Sequence, residues 1–446
     1  MKVKEYLISQ KDAMIEDIMS FVSHGSVYDE STKKEGSPYG DGVHNALEFV
    51  AKLGEQYGFK VDRCDGYCTE LTIGEGDKLI GIFAHADVVP ATGDWSRDPF
   101  ESYVLDGKVY GRGTSDDKGP FIAALWAVLA LKQAGLLGNY RIRFVVGGDE
   151  ERGSSCLDYY FKTLKKEAPT YGFTPDADFP VIFGEKGIND FFPELPIEIP
   201  HVKSIKGGAA TNAVCDKVDI VLDEPIFVKE YCEKNNIPHS VNENTITIYG
   251  KSAHGSTPEQ GVNAAVITMD MLGEIYGVGK LKRLGVGLKD TTGKNWNGFC
   301  ETKLMGQTTY CVGMISYEKE LLKFSVNFRY PENVKPVEYK DKFDVYFGTE
   351  STMGEESHVL FFDPKSKLVK TLMKAYKAET HHFFAKPITI GGGTYAKHCE
   401  NTVAFGALFP GRESVMHQPD EFMPVDDVVQ SSLIYARAIY LLGKLK

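Results

Sequence analysis

The sequence predicts an α/β protein interrupted by a strand-rich block, and three observations carry that prediction. Apolar strands at 79–85 and 140–146 run directly into glycine-flanked, acid-bearing turns. Helix-length apolar segments alternate with those strands, most clearly from Pro120 to about Gln133. From about residue 188 the texture turns to alternating and β-branched segments, and it returns to α/β at about 366. A split main domain is therefore expected over 1–187 and 366–446, with 188–365 inserted into it.

The 446 residues are 42% hydrophobic and 25% charged, ordinary for a globular chain with a large core. A formal charge of −12 argues against nucleic acid or an anionic membrane as partner. The N-terminal segment is charged throughout and lacks an apolar signal core, and the longest apolar run, near Phe121–Leu131, is too short to span a bilayer. The eight cysteines are scattered without zinc-knuckle or redox spacing. Free thiols and a cytoplasmic location are expected, so any metal site must be built from histidine and carboxylate.

In chain order, Leu7, Met14, Ile18 and Phe21 space a helix over 3–22, and a second helix spans 42–57 up to Gly58. Short strands are expected near 60–63 and 70–73. The strand 79–85 then delivers His85, with Asp87 two residues on. Residues two apart on an extended chain share a face, so a carboxylate there can orient a ligating imidazole. A hairpin up to Tyr110 leads into Gly111-Arg-Gly-Thr-Ser-Asp116-Asp117-Lys118-Gly-Pro120 and the apolar helix. A helix dipole accounts for one aspartate at this turn more readily than for two. Strand 140–146 empties into Gly147-Gly-Asp-Glu150-Glu151, and its glycines permit the bend that would let both glutamates serve one site. A helix near 154–166 precedes Thr174-Pro-Asp176-Ala-Asp178-Phe-Pro180.

In the inserted block, strand 244–249 leads to His254, a helix runs from Val262 to about Ile275, and strands at 308–315 and 322–329 follow. The closing segment has a helix near 366–379, a strand at 387–390, the turn Gly391-Gly392-Gly393, a strand at 402–408, then His417 and a helix over 425–443. Open α/β sheets place their sites at the carboxyl ends of strands, so the acid-bearing turns should converge. A mixed set of His85, Asp87, Asp116, Glu150, Glu151, Asp176 and His417 without thiolates suits zinc, cobalt or manganese. Two histidines and three carboxylates fit two ions sharing one carboxylate, leaving one acid as general base.

With the motifs His85-Ala-Asp-Val-Val-Pro, Gly111-Arg-Gly-Thr-Ser-Asp-Asp-Lys-Gly-Pro, Asp149-Glu-Glu, Thr174-Pro-Asp-Ala-Asp-Phe-Pro, Ser252-Ala-His-Gly and the late His417, the chain resembles a known family. These are the dinuclear zinc peptidases and deacylases that include bacterial dipeptidase V, carnosinases, carboxypeptidase G, aminoacylases and succinyl-diaminopimelate desuccinylase. The resemblance runs from about residue 10 to the C-terminus. Trp95-Ser-Arg-Asp-Pro-Phe, Gly391-Gly-Gly-Thr-Tyr-Ala and the long insertion look closest to the dipeptidase V branch.

That resemblance implies a catalytic domain with a mixed β-sheet flanked by helices and an inserted α+β lid domain. It implies that His85 and Asp176 bind one ion, that Glu151 and His417 bind a second, and that Asp116 bridges them through a residue followed by a cis peptide. It gives Glu150 as the general base acting on a water that bridges the ions, and Asp87 as the residue that orients His85. It gives His254 as the donor to the scissile carbonyl oxygen. Asn212, Arg329 and the backbone of Gly391, Gly392 and Gly393 would grip the substrate. The ions would be zinc, with manganese or cobalt as alternatives.

The expected activity is hydrolysis of dipeptides and short unblocked peptides. The alternatives are an N-acyl amino acid deacylase or carboxypeptidase on the same scaffold, or a non-catalytic binding protein that retains the fold. A phosphate-binding role for Gly391–Gly393 lacks the following Gly-Lys-Ser/Thr. A small peptide is the expected partner. The long insertion resembles monomeric relatives, with a homodimer as the alternative.

Overall fold

The computed structural model describes residues 2–445 and divides the chain into two compact units. The first comprises residues 1–184, 362–388 and 394–446, and the second comprises 185–361 with 389–393. The α/β architecture with a mixed sheet and a separate antiparallel sheet agrees with the sequence expectation.

In the first unit the sheet runs in the order Lys60–Asp62, Cys68–Gly74, Arg141–Gly147, Leu79–His85, Tyr171–Thr174, Thr402–Ala404, Ile182–Glu185. Arg141–Gly147, Leu79–His85, Tyr171–Thr174 and Thr402–Ala404 pair in parallel, while Cys68–Gly74 and Ile182–Glu185 join antiparallel. Every residue of Leu79–His85 is buried, as an interior strand with both faces covered requires. The helix Lys118–Gln133 is buried from Lys118 to Leu131, so it is apolar all round and packs against Val425–Lys444 and the strand Leu79–His85. Burying a side chain such as Ile82 or Phe144 contributes about 1.5–3 kcal/mol each. This core fixes the strand ends from which the acid-bearing loops leave.

The second unit is an eight-stranded antiparallel sheet with the helices Ile226–Lys234, Ala264–Ile275, Gly279–Leu288 and Pro336–Phe347. Gly187–Pro196 alternates buried and accessible residues, the period-two pattern of a strand covered on one face. Asn263 caps Ala264–Ile275 by accepting from the N–H groups of Ala265 and Val266.

Some elements differ from the sequence expectation. The helix expected over 154–166 is a short α-turn, Ser155–Asp158, that widens into a π-turn at Tyr159–Thr163. The strand expected over 402–408 breaks into Thr402–Ala404 and Ala407–Leu408 at Gly406, whose φ of 87° no regular strand accommodates. No helix among the described residues is long and apolar enough to cross a membrane.

Candidate metal centre

The parallel strands of the first unit end side by side, with His85 opposite Gly147 in register. His85 is fully buried at the end of its strand. Its Nδ1 lies 2.9 Å from the backbone oxygen of Asp87, so Nδ1–H donates there and Nε2 is free to act as a ligand. Asp116 Oδ1 lies 2.9 Å from His85 Nε2, and Asp176 Oδ2 lies 3.7 Å from it. On the other side of Asp116, Oδ2 stands 2.9 Å from His417 Nε2, which is 3.2 Å from Glu151 Oε1. Two ligand triads thus form, His85–Asp116–Asp176 and Asp116–Glu151–His417, and Asp116 belongs to both.

The triads fit divalent ions. Ligand atoms ~2.0–2.1 Å from a tetrahedral ion lie about 3.3 Å from each other, and the observed separations bracket that spacing. The electrostatics point the same way. Desolvation, then the charge of Asp116, pushes the Asp176 carboxyl up to about 8. Desolvation and Asp176 hold Glu150 well above the usual carboxylate range, and desolvation and Asp116 raise Glu151. Desolvation would also raise Asp116, but hydrogen bonds to His417 and His85 hold it far below its ordinary value. Desolvation opposes a proton on His417, yet Asp116 and Glu151 outweigh it and lift the imidazole to about 11. So many carboxyls crowded together lack positive charge, which is what bound cations supply.

The supporting contacts are specific. The carboxylate of Asp87 accepts from the backbone N–H groups of Glu150 and Glu151, at 3.1 Å each, while its Oδ1 is 3.5 Å from His85 Nδ1. Asp87 therefore fixes the glutamate turn with its side chain and His85 chiefly with its backbone. The turn itself begins at Gly147, where a Cβ would stand 2.1 Å from Tyr395 Oη and 2.7 Å from Cys156 Sγ. On the Asp116 loop, the peptide to Asp117 is cis, and the buried Asp117 accepts from the His85 N–H at 3.2 Å. Lys118 is also buried and donates to the backbone oxygens of Phe21 and His24, with desolvation bringing its ammonium down to about 7.

Residues 81–441 match Peptidase family M20/M25/M40. The chain belongs to this family. It is 35% identical to the Putative dipeptidase YtjP of Bacillus subtilis (strain 168), over 98% of this chain and 99% of that protein. Among solved structures, human carnosine dipeptidase 1 superposes with a TM-score of 0.62 at 15% identity, covering 99% of this chain and 98% of that one. The Bacillus subtilis YXEP protein, a dinuclear metal binding peptidase from the M20 family, superposes at 0.54 with 12% identity, covering 98% and 99%. At those identities the likeness speaks for the shared M20 fold.

The remaining sequence-selected residues of this M20 chain lie in its second unit. There His254 is exposed, with Nδ1 2.6 Å from Ser256 Oγ, and the Gly255 N–H donates to the Asn212 oxygen at 2.7 Å. Arg329 is 3% exposed and donates to the Gly391 oxygen and to Asn327 Oδ1. Desolvation lowers its guanidinium to about 10. Asn212 and His254 thus meet through Gly255, while Arg329 and Gly391 form a hydrogen-bonded network of their own, in which Gly392 and Gly393 follow in sequence.

Two residues escape sequence reasoning. Asn327 joins that network by accepting from Arg329 and donating to Asp190; its place two residues before Arg329 on one strand is the only hint. Glu421 is fully buried beneath the Asp116 loop. An acid four residues beyond His417 is its only trace in the sequence.

Proposed function

We propose that this M20 chain is a two-ion dipeptidase that hydrolyses the peptide bond of short, unblocked peptides. The observation that carries this reading is the Asp116 carboxylate, whose two oxygens each face a different imidazole, with Glu150 on the adjoining turn. The names of the relatives support the dipeptide substrate. His85 and Asp176 would hold one ion, Glu151 and His417 the other, and Asp116 both; zinc suits the donors best. Such ions polarise a carbonyl and acidify water.

Glu150 is the general base in this reading. It would take a proton from the attacking water and return it to the leaving amine. Its backbone is tied to Asp87, so the carboxyl is presented from a fixed turn. We assign the first unit to catalysis and the second to substrate contact. There His254 would donate to the carbonyl oxygen, and Asn212, Arg329 and Gly391–Gly393 would recognise the peptide carboxylate.

The test is a panel of free dipeptides and N-acyl amino acids, assayed with and without a chelator, on wild type and Glu150→Ala. Free dipeptides should be cleaved and chelation should stop it. Glu150→Ala should lose about 10²–10⁴-fold in rate while keeping both ions. Cleavage of acylated substrates alone would replace this reading with a deacylase, and equal loss of metal and activity in Glu150→Ala would remove Glu150 from the role of base.

A further inference from the structure

Glu421 is a fully buried carboxylate of the first unit that accepts five hydrogen bonds, and no catalytic or ligand role accounts for it. Its Oε2 accepts from Arg112 Nη1 at 2.7 Å and from the Gly113 N–H at 3.1 Å. Its Oε1 accepts from the Ser115 N–H and Oγ at 2.9 Å each, and from the Asp116 N–H at 3.2 Å. Its backbone oxygen also accepts from the Gly111 N–H at 2.9 Å. The turn that delivers Asp116 is therefore wrapped around one buried anion. A buried carboxylate is costly unless its lone pairs are filled, and here the loop backbone fills them.

Glu421 is anchored on its far side too. Phe422 pairs with Tyr110 in a small antiparallel sheet, so the residue enters the loop in a fixed register. Four residues before it, on the same segment, stands His417, whose φ of 64° places it at the turn closed by the Gln418 N–H and the Val415 oxygen. One short segment thus supplies a ligand histidine and also sets the backbone under the shared aspartate. His85 ends one strand and Asp176 follows another, and neither is among the hydrogen-bond partners of Glu421.

We propose that Glu421 is a positioning residue that couples His417 to Asp116 and so governs the ion held by Asp116, Glu151 and His417. The assignment rests on the two-ion reading above. A glutamine cannot replace it, because both oxygens accept only from N–H or O–H groups. Whichever oxygen becomes an NH2 group then faces a donor.

The test compares the full chain as wild type, Glu421→Gln, Ser115→Ala and Glu70→Gln, each stripped of metal and titrated with zinc, then with cobalt for its visible spectrum. Glu70 is a control: it is a largely buried carboxylate of the same unit, held by Tyr160 and Lys166 and remote from the ligands in its contacts. Wild type should take two ions. Glu421→Gln should bind the second roughly 10–100-fold more weakly, the usual scale for a group behind a metal ligand, and the first within a few-fold. Its cobalt spectrum should lose the second ion's contribution. Glu70→Gln should lower the unfolding temperature with both affinities unchanged. Should Glu421→Gln not fold, Ser115→Ala, which removes one donor to the carboxylate, should weaken the second ion selectively by a smaller factor. Unchanged second-ion affinity in the folded variants, or equal weakening of both ions, overturns the assignment. A wild type that takes a single ion overturns the two-ion reading and this assignment with it.

Discussion

The two halves of the candidate metal centre share one carboxylate yet are built differently. His85 sits fully buried at the end of an interior strand, and Asp176 follows the neighbouring strand with its side chain 12% exposed. His417 has a side chain 53% exposed and stands on a turn in a left-handed conformation that non-glycine residues rarely adopt. Its partner Glu151 lies on a turn pinned by Asp87. The first triad is thus positioned by the sheet and its core, the second by hydrogen bonds between loops far apart in sequence. A site built this way should hold its two ions unequally, because loop ligands cost more ordering to assemble than ligands already fixed by strands.

The largest expected effect comes from removing what the halves share. Asp116→Ala should empty both positions and cut activity by about 10⁴-fold or more, the scale seen when a group on which a whole constellation depends is deleted. Metal analysis of the purified variant checks this. Retention of one ion would show that the strand-borne triad stands without its bridge, which would sharpen the contrast between the halves.

How far this site can be read from sequence follows the same division. The strand over 79–85, the apolar helix after Pro120 and the bend at Gly147 are legible because local periodicity and glycine placement encode them, and the structure has Leu79–His85, Lys118–Gln133 and a strand ending at Gly147. In the second unit the strands Thr245–Tyr249, Thr309–Glu318 and Leu321–Tyr330 are legible in the same way, whereas Gly187–Pro196, Val202–Gly207, His239–Asn242 and Glu350–Met353 are not. Its helices Ile226–Lys234, Gly279–Leu288 and Pro336–Phe347 are not, since their mixed polar faces become decisive only against a sheet. Contacts between distant loops are invisible to periodicity. Arg112 and Glu421 are 309 residues apart, and the Asp87 carboxylate reaches the Glu150 N–H across 63. The side chain of Asp87 illustrates the limit: its spacing from His85 suggests one partner, and the fold gives it the glutamate turn as well.

A smaller effect separates the two histidines in the metal-free protein. His85→Ala removes a buried ring that donates to the Asp87 oxygen and packs edge-on against Tyr395, with centroids 6.2 Å apart. It should cost about 2 kcal/mol in chemical denaturation. His417→Ala removes no core packing, so its cost should come only from stripping Asp116 and Glu151 of an imidazolium, complete below about pH 6.5 and fading as pH rises toward 11, while binding of one ion is abolished. Equal destabilisation by both at every pH would mean that the second triad is as well supported by the core as the first.

The smallest effect tests the charge on the strand-borne half, again without metal. An unfolded chain releases the Asp176 proton near pH 4, whereas desolvation and Asp116 keep it on the folded chain up to about pH 8. Between those values the folded state binds more protons than the unfolded one, so stability conferred by Asp176 is complete below about pH 4 and is lost as pH rises toward 8. The loss can reach at most about 1.4 kcal/mol for each pH unit, and sharing of protons with Asp116 and Glu150 reduces it. Asp176→Asn keeps the shape and removes the titration, so its unfolding free energy should fall less steeply than wild type between pH 5 and 7. Added zinc should flatten the wild-type slope as well, since a bound cation takes over the role of that proton. Parallel slopes for wild type and Asp176→Asn would mean that Asp176 is already ionised beside His85, with the imidazole rather than a proton balancing its charge.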